Sequence, residues 1–151
     1  MSEIIEDLVA KIAELENRLE YIEAVEKNVF STVTVSGLST LSGGVQFGRT
    51  TAQITGGVIS ATGRSTVRLT SQVATDPDDL DTINDGVDGQ VLILAARNAT
   101  ETITVKDATG NIFLAGGADR TLFKGAGATD TLMLTYDNVN SQWLELSYSN
   151  N

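Results

Sequence analysis

The segment that decides the architecture is residues 5–23, IEDLVAKIAELENRLEYIE, in which apolar residues recur at alternating spacings of three and four. This spacing is typical of the a and d positions of a coiled coil. The a positions hold Ile5, Ile12 and Leu19, and the d positions hold Leu8, Leu15 and Ile22. We therefore predict a helix that packs against other helices along one narrow seam. The alternative is a solitary amphipathic helix lying on its own domain, although such a helix usually has a wider apolar stripe.

Charged residues beside the seam indicate how the helices are oriented. The g positions hold Lys11 and Arg18, and the e positions five residues later hold Glu16 and Glu23. In a parallel coiled coil each g residue lies opposite the following e residue of a neighbouring helix. Both possible pairs, Lys11–Glu16 and Arg18–Glu23, then join opposite charges, which favours a parallel assembly.

The residues at the a and d positions also indicate how many helices associate. Isoleucine at a with leucine at d favours two strands, whereas the reversed order at Leu19 and Ile22 favours a larger number. Residues 18–23, RLEYIE, resemble the Arg–apolar–x–x–apolar–Glu pattern of short trimeric coiled coils, and residues 11–16, KIAELE, repeat it with lysine in the first place. We therefore predict a parallel homotrimer rather than a dimer.

The composition changes sharply near residue 30. All 14 glycines lie at Gly37 or later, and so does the single proline, Pro77. Residues 1–28 hold eight acids and three bases, a net charge of -5, and the much longer remainder holds the other -5 of the total of -10. We predict two domains: a coiled-coil trimerisation helix over residues 1–30, and an all-β body over residues 31–151.

The second segment is rich in Thr, Ser, Val and Gly, and its apolar residues alternate with period two, as in half-buried strands. The predicted strands are 31–36, 65–71, 91–94, 102–106, 111–115, 121–124, 131–136 and 142–149. The continuous apolar run 91–94 predicts a strand that is covered on both faces. Short connections rich in turn residues predict hairpins. The predicted fold class is therefore mainly β, with an antiparallel sandwich or barrel-like body and a hairpin meander in its C-terminal third.

Glycines divide the region from Gly37 to Gly63 into weak strands. Glycine weakens a strand unless another backbone comes close to it. Two interpretations remain open at this point: a β contact with a neighbouring subunit, or a connector rich in loops.

The composition excludes several classes of function. Without histidine and cysteine, the chain cannot form a Cys/His zinc site, a disulfide, or a Ser-His-Asp or Cys-His catalytic group. Its 20 acids against 10 bases argue against nucleic-acid binding, which depends on Lys and Arg. No apolar run reaches the roughly 18 residues of a membrane span. We expect no cofactor, and neither a nucleic acid nor a membrane as partner.

Half of the aspartates and glutamates that follow residue 28 lie in one short stretch. They are Asp76, Asp78, Asp79, Asp81, Asp85 and Asp88. Oxygen ligands at this density suit Ca²⁺, but their spacing does not match an EF-hand loop. We predict a solvated acidic loop that begins at the Pro77 turn, with a metal site as the alternative.

The other carboxylates and the aromatic residues are further candidate sites. Glycoside hydrolysis needs two carboxyl groups facing each other across a cleft, and the remaining acids lie in or beside predicted turns or on strand faces, so no pair is selected. These acids are Glu101, Asp107, Asp119, Asp130, Asp137 and Glu145. Strict alternation places Leu144, Leu146 and Tyr148 on the core face of their strand and Trp143 on the opposite face. Trp143 is therefore the predicted ring for a glycan contact, and we predict that the protein is not an enzyme.

Five stretches of the chain carry a resemblance to a known group of proteins. They are residues 85–94, DGVDGQVLIL; 103–111, ITVKDATGN; 114–116, LAG; 130–137, DTLMLTYD; and 143–145, WLE. The part of the chain from about Val67 to Ser149 resembles a domain at the C-termini of tailed-bacteriophage virion proteins, in tail fibres and related appendages. A coiled coil ahead of a β body also resembles phage fibres and capsid-decorating proteins.

The resemblance implies a structural protein of the virion, whose partners are other capsid or tail proteins. A helical segment of this length spans only roughly 40 Å at 1.5 Å per residue, which favours a short fibre or a capsid decoration or cement protein. The alternative function is a receptor-binding module that recognises host-surface glycans.

Overall fold

The computed structural model describes residues 2–26, 46–73, 77–125 and 127–151. The chain divides into two units, residues 1–44 and residues 45–151. The predicted strand 31–36 and the region 37–45 lie outside the described residues.

The first unit contains the helix α1, Ser2–Glu26, of 25 residues. The sequence of this segment contains neither glycine nor proline, and it is dominated by Ala, Leu, Glu and Ile, which tolerate or favour a helix. The predicted N-terminal helix is therefore confirmed. Among the described residues, no helix has the length and apolar character that crossing a membrane requires.

The described residues of the second unit form eleven strands. They are β1 Arg49–Gln53, β2 Val58–Ser60, β3 Thr66–Thr70, β4 Asp78–Leu80, β5 Thr82–Asn84, β6 Val91–Ala96, β7 Ile103–Val105, β8 Ile112–Phe113, β9 Arg120–Leu122, β10 Thr131–Asp137 and β11 Gln142–Ser149. The prediction of a mainly β body is confirmed, and every predicted strand from residue 65 onward overlaps an observed one.

The strands form three sheets. A six-stranded sheet has the order β1-β3-β6-β10-β11-β8, a second sheet pairs β2 with β5, and a third has the order β4-β7-β9. Five of the eight strand pairings are parallel. The predicted antiparallel arrangement is therefore wrong for most of the body. The predicted meander is correct only for the β10–β11 hairpin, because the antiparallel strands β7 and β9 are separated in the chain by β8, which belongs to another sheet.

Four of the five parallel pairings arise because the chain winds around the core instead of folding back at each turn. It leaves β1, passes through β2 in another sheet, and returns with β3 beside β1. The next turn passes through β4 and β5 and returns with β6 beside β3. Strands of successive turns therefore pair in parallel: β3 and then β6 follow β1, β5 lies beside β2, and β7 lies beside β4. Two antiparallel strands, β9 and β10, then pair with the last turn.

The side chains that face inward from all three sheets form one apolar core. Examples from the three sheets are Leu94 on β6, Ile83 on β5 and Ile103 on β7, each with 0% of its surface exposed. Period-two alternation places these residues inside, because successive side chains of a strand point to opposite faces.

The strand β6 departs from its prediction. Leu92 and Leu94 are fully buried, but Val91, on the other face, is 40% exposed and Ile93 is only half-buried. The apolar run 91–94 therefore does not belong to a strand that is covered on both faces in this chain. Its second face lies on the outside of the six-stranded sheet.

Candidate functional site

The apolar seam of α1 is the first candidate site. Leu8, Leu15 and Leu19 are 57%, 59% and 57% exposed, Ile5 is 58% exposed, and Ile12 is 47% exposed. The side chains of Ile22 and Glu23 lie outside the described residues. Large apolar side chains exposed in a continuous row mark an interaction surface rather than an ordinary surface.

Three of the charged residues beside the seam, Lys11, Glu16 and Arg18, are exposed as well. Within one chain, the Lys11 ammonium group donates a hydrogen bond to the Asp7 carboxylate at 3.1 Å, four residues earlier on the helix. A pair of this kind stabilises a helix by about 0.3–0.5 kcal/mol. The predicted pairs of Lys11 with Glu16 and of Arg18 with Glu23 join different chains, and they stay predictions.

Trp143, the predicted glycan contact, is fully buried, with 0% of its surface exposed. Its indole Nε1–H donates a hydrogen bond to the Ile83 carbonyl oxygen at 3.0 Å. Its ring lies 5.1 Å from the Tyr136 ring, tilted by 53°. A ring in this position cannot stack on a sugar, so the prediction for Trp143 is wrong and the glycan-binding alternative loses the residue on which it rested.

A β-bulge explains the error. Met133 of β10 pairs with Ser147, but the next residue, Leu134, pairs with Glu145, so Leu146 has no partner. One extra residue in a strand reverses the facing of every side chain beyond it. Trp143 therefore faces the core, whereas Leu146 is 54% exposed. Strict alternation predicted the opposite for both.

Two side chains extend the ladder of β5 where no strand continues it. The Asn111 side chain accepts a hydrogen bond from Ile83 N–H at 2.9 Å and donates one to the Ile83 carbonyl at 2.8 Å. The Trp143 indole donates to the same carbonyl. The amide of Asn111 thus takes the place of a neighbouring strand's backbone, which ties β5 to the turn before β8.

The predicted acids of the C-terminal region hold turns and strand ends together. Glu145 accepts hydrogen bonds from Arg120 Nε and from Ala115 N–H, both at 3.0 Å, and its side chain is only 6% exposed. The guanidinium carbon of Arg120 also lies 5.2 Å from the centre of the Tyr148 ring. Burial raises the pKa of the Tyr148 hydroxyl, which donates a hydrogen bond to the Thr121 carbonyl.

Asp119 and Asp130 act in the same way. Asp119 accepts hydrogen bonds from the Lys106 ammonium and from Asp107 N–H. The hydrogen bond from Lys106 lowers the pKa of Asp119, and the same contact raises the pKa of Lys106. Asp130 is 5% exposed and accepts from Phe123 N–H and Asn151 N–H.

The remaining two acids of the group have different surroundings. Asp137 accepts hydrogen bonds from the Asn140 side chain and from Val139 N–H, and the contact with Asn140 lowers its pKa. Glu101 is 3% exposed; its Oε1 accepts from Asn98, while its buried Oε2 has no hydrogen-bond partner. Sequence reasoning included Glu101 but gave no sign of its burial, because it lies in a connection rather than on an alternating strand.

The acidic segment differs from the predicted solvated loop. Asp76 lies outside the described residues, but Asp78 begins β4 and accepts a hydrogen bond from Gln72 N–H at 2.7 Å. Asp85 accepts from the Ser60 hydroxyl at 2.6 Å, and Asp88 accepts from Asn138 N–H at 3.0 Å. In the part of the chain that the structure describes, no three acids are grouped so as to hold a metal ion.

The parallel turns, the closing hairpin and the carboxylates that hold the turns together define a β domain. Residues 49–144 match the family model of the phage depolymerase C-terminal β-sandwich domain. The chain belongs to this family, and the predicted phage-type C-terminal β domain is thereby confirmed. The family indicates a protein associated with a phage particle. A comparison with curated proteins finds no match.

Proposed function

We propose that the protein is a non-enzymatic, homotrimeric structural protein of a tailed-phage particle, either a short fibre or a capsid decoration or cement protein. The observation that carries this proposal is the exposed heptad seam of α1. Five apolar residues at a and d positions, from Ile5 to Leu19, are each about half exposed in a single chain. In a coiled coil these residues become buried when another helix packs against them.

The choice of three chains rests on the order of residues along the seam. Arg18 at g followed by Leu19 at a matches the first half of the trimeric pattern, and Lys11 with Ile12 repeats it. A closed threefold assembly also suits positions of threefold symmetry on a capsid or a tail, because the symmetries of docked partners have to match. The helices then set the number of chains and a common axis for three β bodies.

A structural role agrees with the chemistry of the body. The carboxylates that could have formed a hydrolytic pair, such as Glu145 and Asp130, accept hydrogen bonds that hold turns in place. A general acid or nucleophile needs an accessible oxygen facing the substrate. The acidic surface expected from the net charge of -10 would favour docking onto a basic patch of the capsid or tail.

The assembly is tested by placing a charge in the seam. We expect wild-type protein to have a mass of 3 × 16.0 = 48.0 kDa by light scattering, and Ile12→Asp to have the mass of one chain, 16.0 kDa. Three unpaired carboxylates buried at one level of the seam should cost several kcal/mol of assembly free energy.

The matched control is Ala13→Asp, which adds the same charge one residue further along, at the b position outside the seam. This variant should keep the wild-type mass. Wild-type protein that is monomeric at micromolar concentration would contradict the proposal, and a mass of two chains would replace the trimer with a dimer. Gold-labelled antibody on purified particles would then locate the protein on the head or the tail.

A further inference from the structure

The outer face of the six-stranded sheet carries a continuous apolar patch. We call it the outer patch and define it by Phe113, Leu144, Leu146, Met133, Ile93 and Val91. Strand pairing places these residues side by side: Phe113 pairs with Leu144, and Met133 pairs with Ile93. Because neighbouring strands lie about 4.8 Å apart, four strands make the patch about 14 Å wide.

The outer patch is exposed in a single chain. Leu146 is 54% exposed, Val91 40% and Phe113 37%, while Leu144, Met133 and Ile93 are half-buried. Apolar residues scattered singly on a surface are ordinary, but a contiguous group spanning several strands marks an interface. The bulge at Leu146 contributes to the group, since it turns that leucine outward.

The same face is nearly free of negative charge. Of its strand positions from β1 to β11, only Asp137, at the end of β10, carries a carboxylate, and both oxygens of Asp137 accept local hydrogen bonds. At the other side of the face lie Arg49 and Arg68, on β1 and β3. In a chain with a net charge of -10, this is a surface where two copies can approach without bringing acid against acid. Depletion of charge at the centre with charge at the rim is typical of protein interfaces.

The helix determines which partner meets this face first. Glu26 ends α1 and the described body resumes at Gln46, so 19 residues separate them, with a reach of at most about 65 Å. Bodies joined through one helical bundle therefore meet at a local concentration on the order of millimolar. A different protein would therefore have to compete for the outer patch with the β bodies of the same assembly.

We infer that the outer patch is an interface between the β bodies of one trimer, in which three patches converge on the threefold axis. This inference rests on the proposed homotrimer and adds a second contact between chains to the helical one. The assembly is then held at two places, and the bodies have a fixed arrangement around the axis rather than independent positions.

The absence of cysteine from the chain allows a direct test with single thiols. Leu146→Cys places a thiol in the outer patch, and Val139→Cys places the matched control in the β10–β11 turn, where Val139 is 90% exposed. Each is made in the full chain with and without Ile12→Asp. Reaction with a maleimide is followed in time, and light scattering on the same samples gives the number of chains.

We expect the thiol at position 146 to react at least tenfold more slowly in the trimer than in the Ile12→Asp monomer, and the thiol at 139 to react at one rate in both. If the thiol at position 146 reacts at the same rate in trimer and monomer, the inference is overturned while the trimer stays intact. Two fast rates would mean that the outer patch is open in the trimer. Two slow rates would mean that the outer patch is already covered within a single chain. A three-chain Ile12→Asp protein that still reacts slowly at 146 would support the sheet interface and overturn the assignment of assembly to the helix. Wild-type protein that is monomeric would contradict both the helical trimer and the interface between the β bodies.

Discussion

The helix α1 and the β body differ in where their apolar residues find partners. The body buries 19 apolar residues in one core, and all of them come from its own strands and turns. Between Glu3 and Leu19, every side chain of α1 is exposed, including all five seam residues in that range. The apolar core of the body is therefore complete within one chain, whereas under the proposed assembly the seam of the helix is buried by other copies.

This difference separates two kinds of stability. Unfolding of the body is governed by contacts inside one chain, so changes there should act at any protein concentration. The association of α1 should depend on concentration, because assembly follows mass action.

Trp143→Ala should produce the largest effect on the body. The side chain is fully buried, contacts the Tyr136 ring and donates a hydrogen bond to the Ile83 carbonyl. Truncation of a buried tryptophan typically lowers the free energy of unfolding by about 3–5 kcal/mol. Chemical denaturation followed by circular dichroism measures the change.

Val139→Ala, at a position that is 90% exposed, is the control for Trp143→Ala and should unfold like the wild type. Below the onset of unfolding, both variants should keep the mass of the wild-type assembly. A Trp143→Ala protein as stable as the wild type would mean that this ring is not part of the core. That result would revive it as an accessible contact.

The strand positions could be predicted from sequence, but their arrangement could not. Alternation is a local property, so it located β3, β10 and β11 to within a residue or two. Parallel stacking depends on distant partners: Arg49 pairs with Thr66, 17 residues later, and Thr66 pairs with Ile93, 27 residues later. Short connections look like hairpin turns whether the chain folds back or passes on to another sheet.

The candidate sites also show that a local sequence pattern does not determine long-range structure. The seam of α1 is a repeated local pattern that can be located from sequence alone, and its role in assembly stays a prediction. The face on which Trp143 lies depends on a single bulge at Leu146, and no turn residue or glycine marks that bulge. The outer patch was missed for the same reason, since Leu146 was assigned to the core.

Gly110→Ala should have an intermediate effect. Gly110 lies in the turn between β7 and β8, where an added Cβ would overlap the Asp81 carbonyl oxygen and the Thr82 hydroxyl. Because a backbone carbonyl cannot move aside like the end of a long side chain, overpacking should lower the free energy of unfolding by about 1–3 kcal/mol. Urea titration of the full chain measures this difference.

The matched variant for Gly110→Ala is Gly48→Ala, since a Cβ at Gly48 meets no atom within 4 Å. Gly48→Ala should leave the free energy of unfolding unchanged within the error of the urea titration. If the two variants unfold at the same urea concentration, the turn before β8 is not packed against the start of β5 as the structure has it. In that case the Asn111 contacts with Ile83 would be in question too.

The pair of Lys106 and Asp119 should give the smallest effect, and one that depends on pH. Because its pKa is lowered in the folded chain, Asp119 contributes stability above its ordinary pKa, and this is lost as the pH falls through the lowered value. Lys106 has a raised pKa, so its contribution is present at neutral pH and is lost only in strong alkali. Asp119→Asn should therefore lower the thermal midpoint slightly at neutral pH, as expected for an exposed ion pair.

The comparison of wild type and Asp119→Asn across the acid range isolates the charge of this carboxylate. The difference in midpoint should shrink as the pH drops below about 4 and vanish in stronger acid, since Asp119 is then protonated in both the folded and unfolded states. The amide still accepts a hydrogen bond from Asp107 N–H, so this contact is retained at every pH. A difference that stays constant down to the lowest pH would show that the aspartate acts through packing rather than through charge. The pair would then belong with the buried contacts of the body rather than with its solvent-exposed charges.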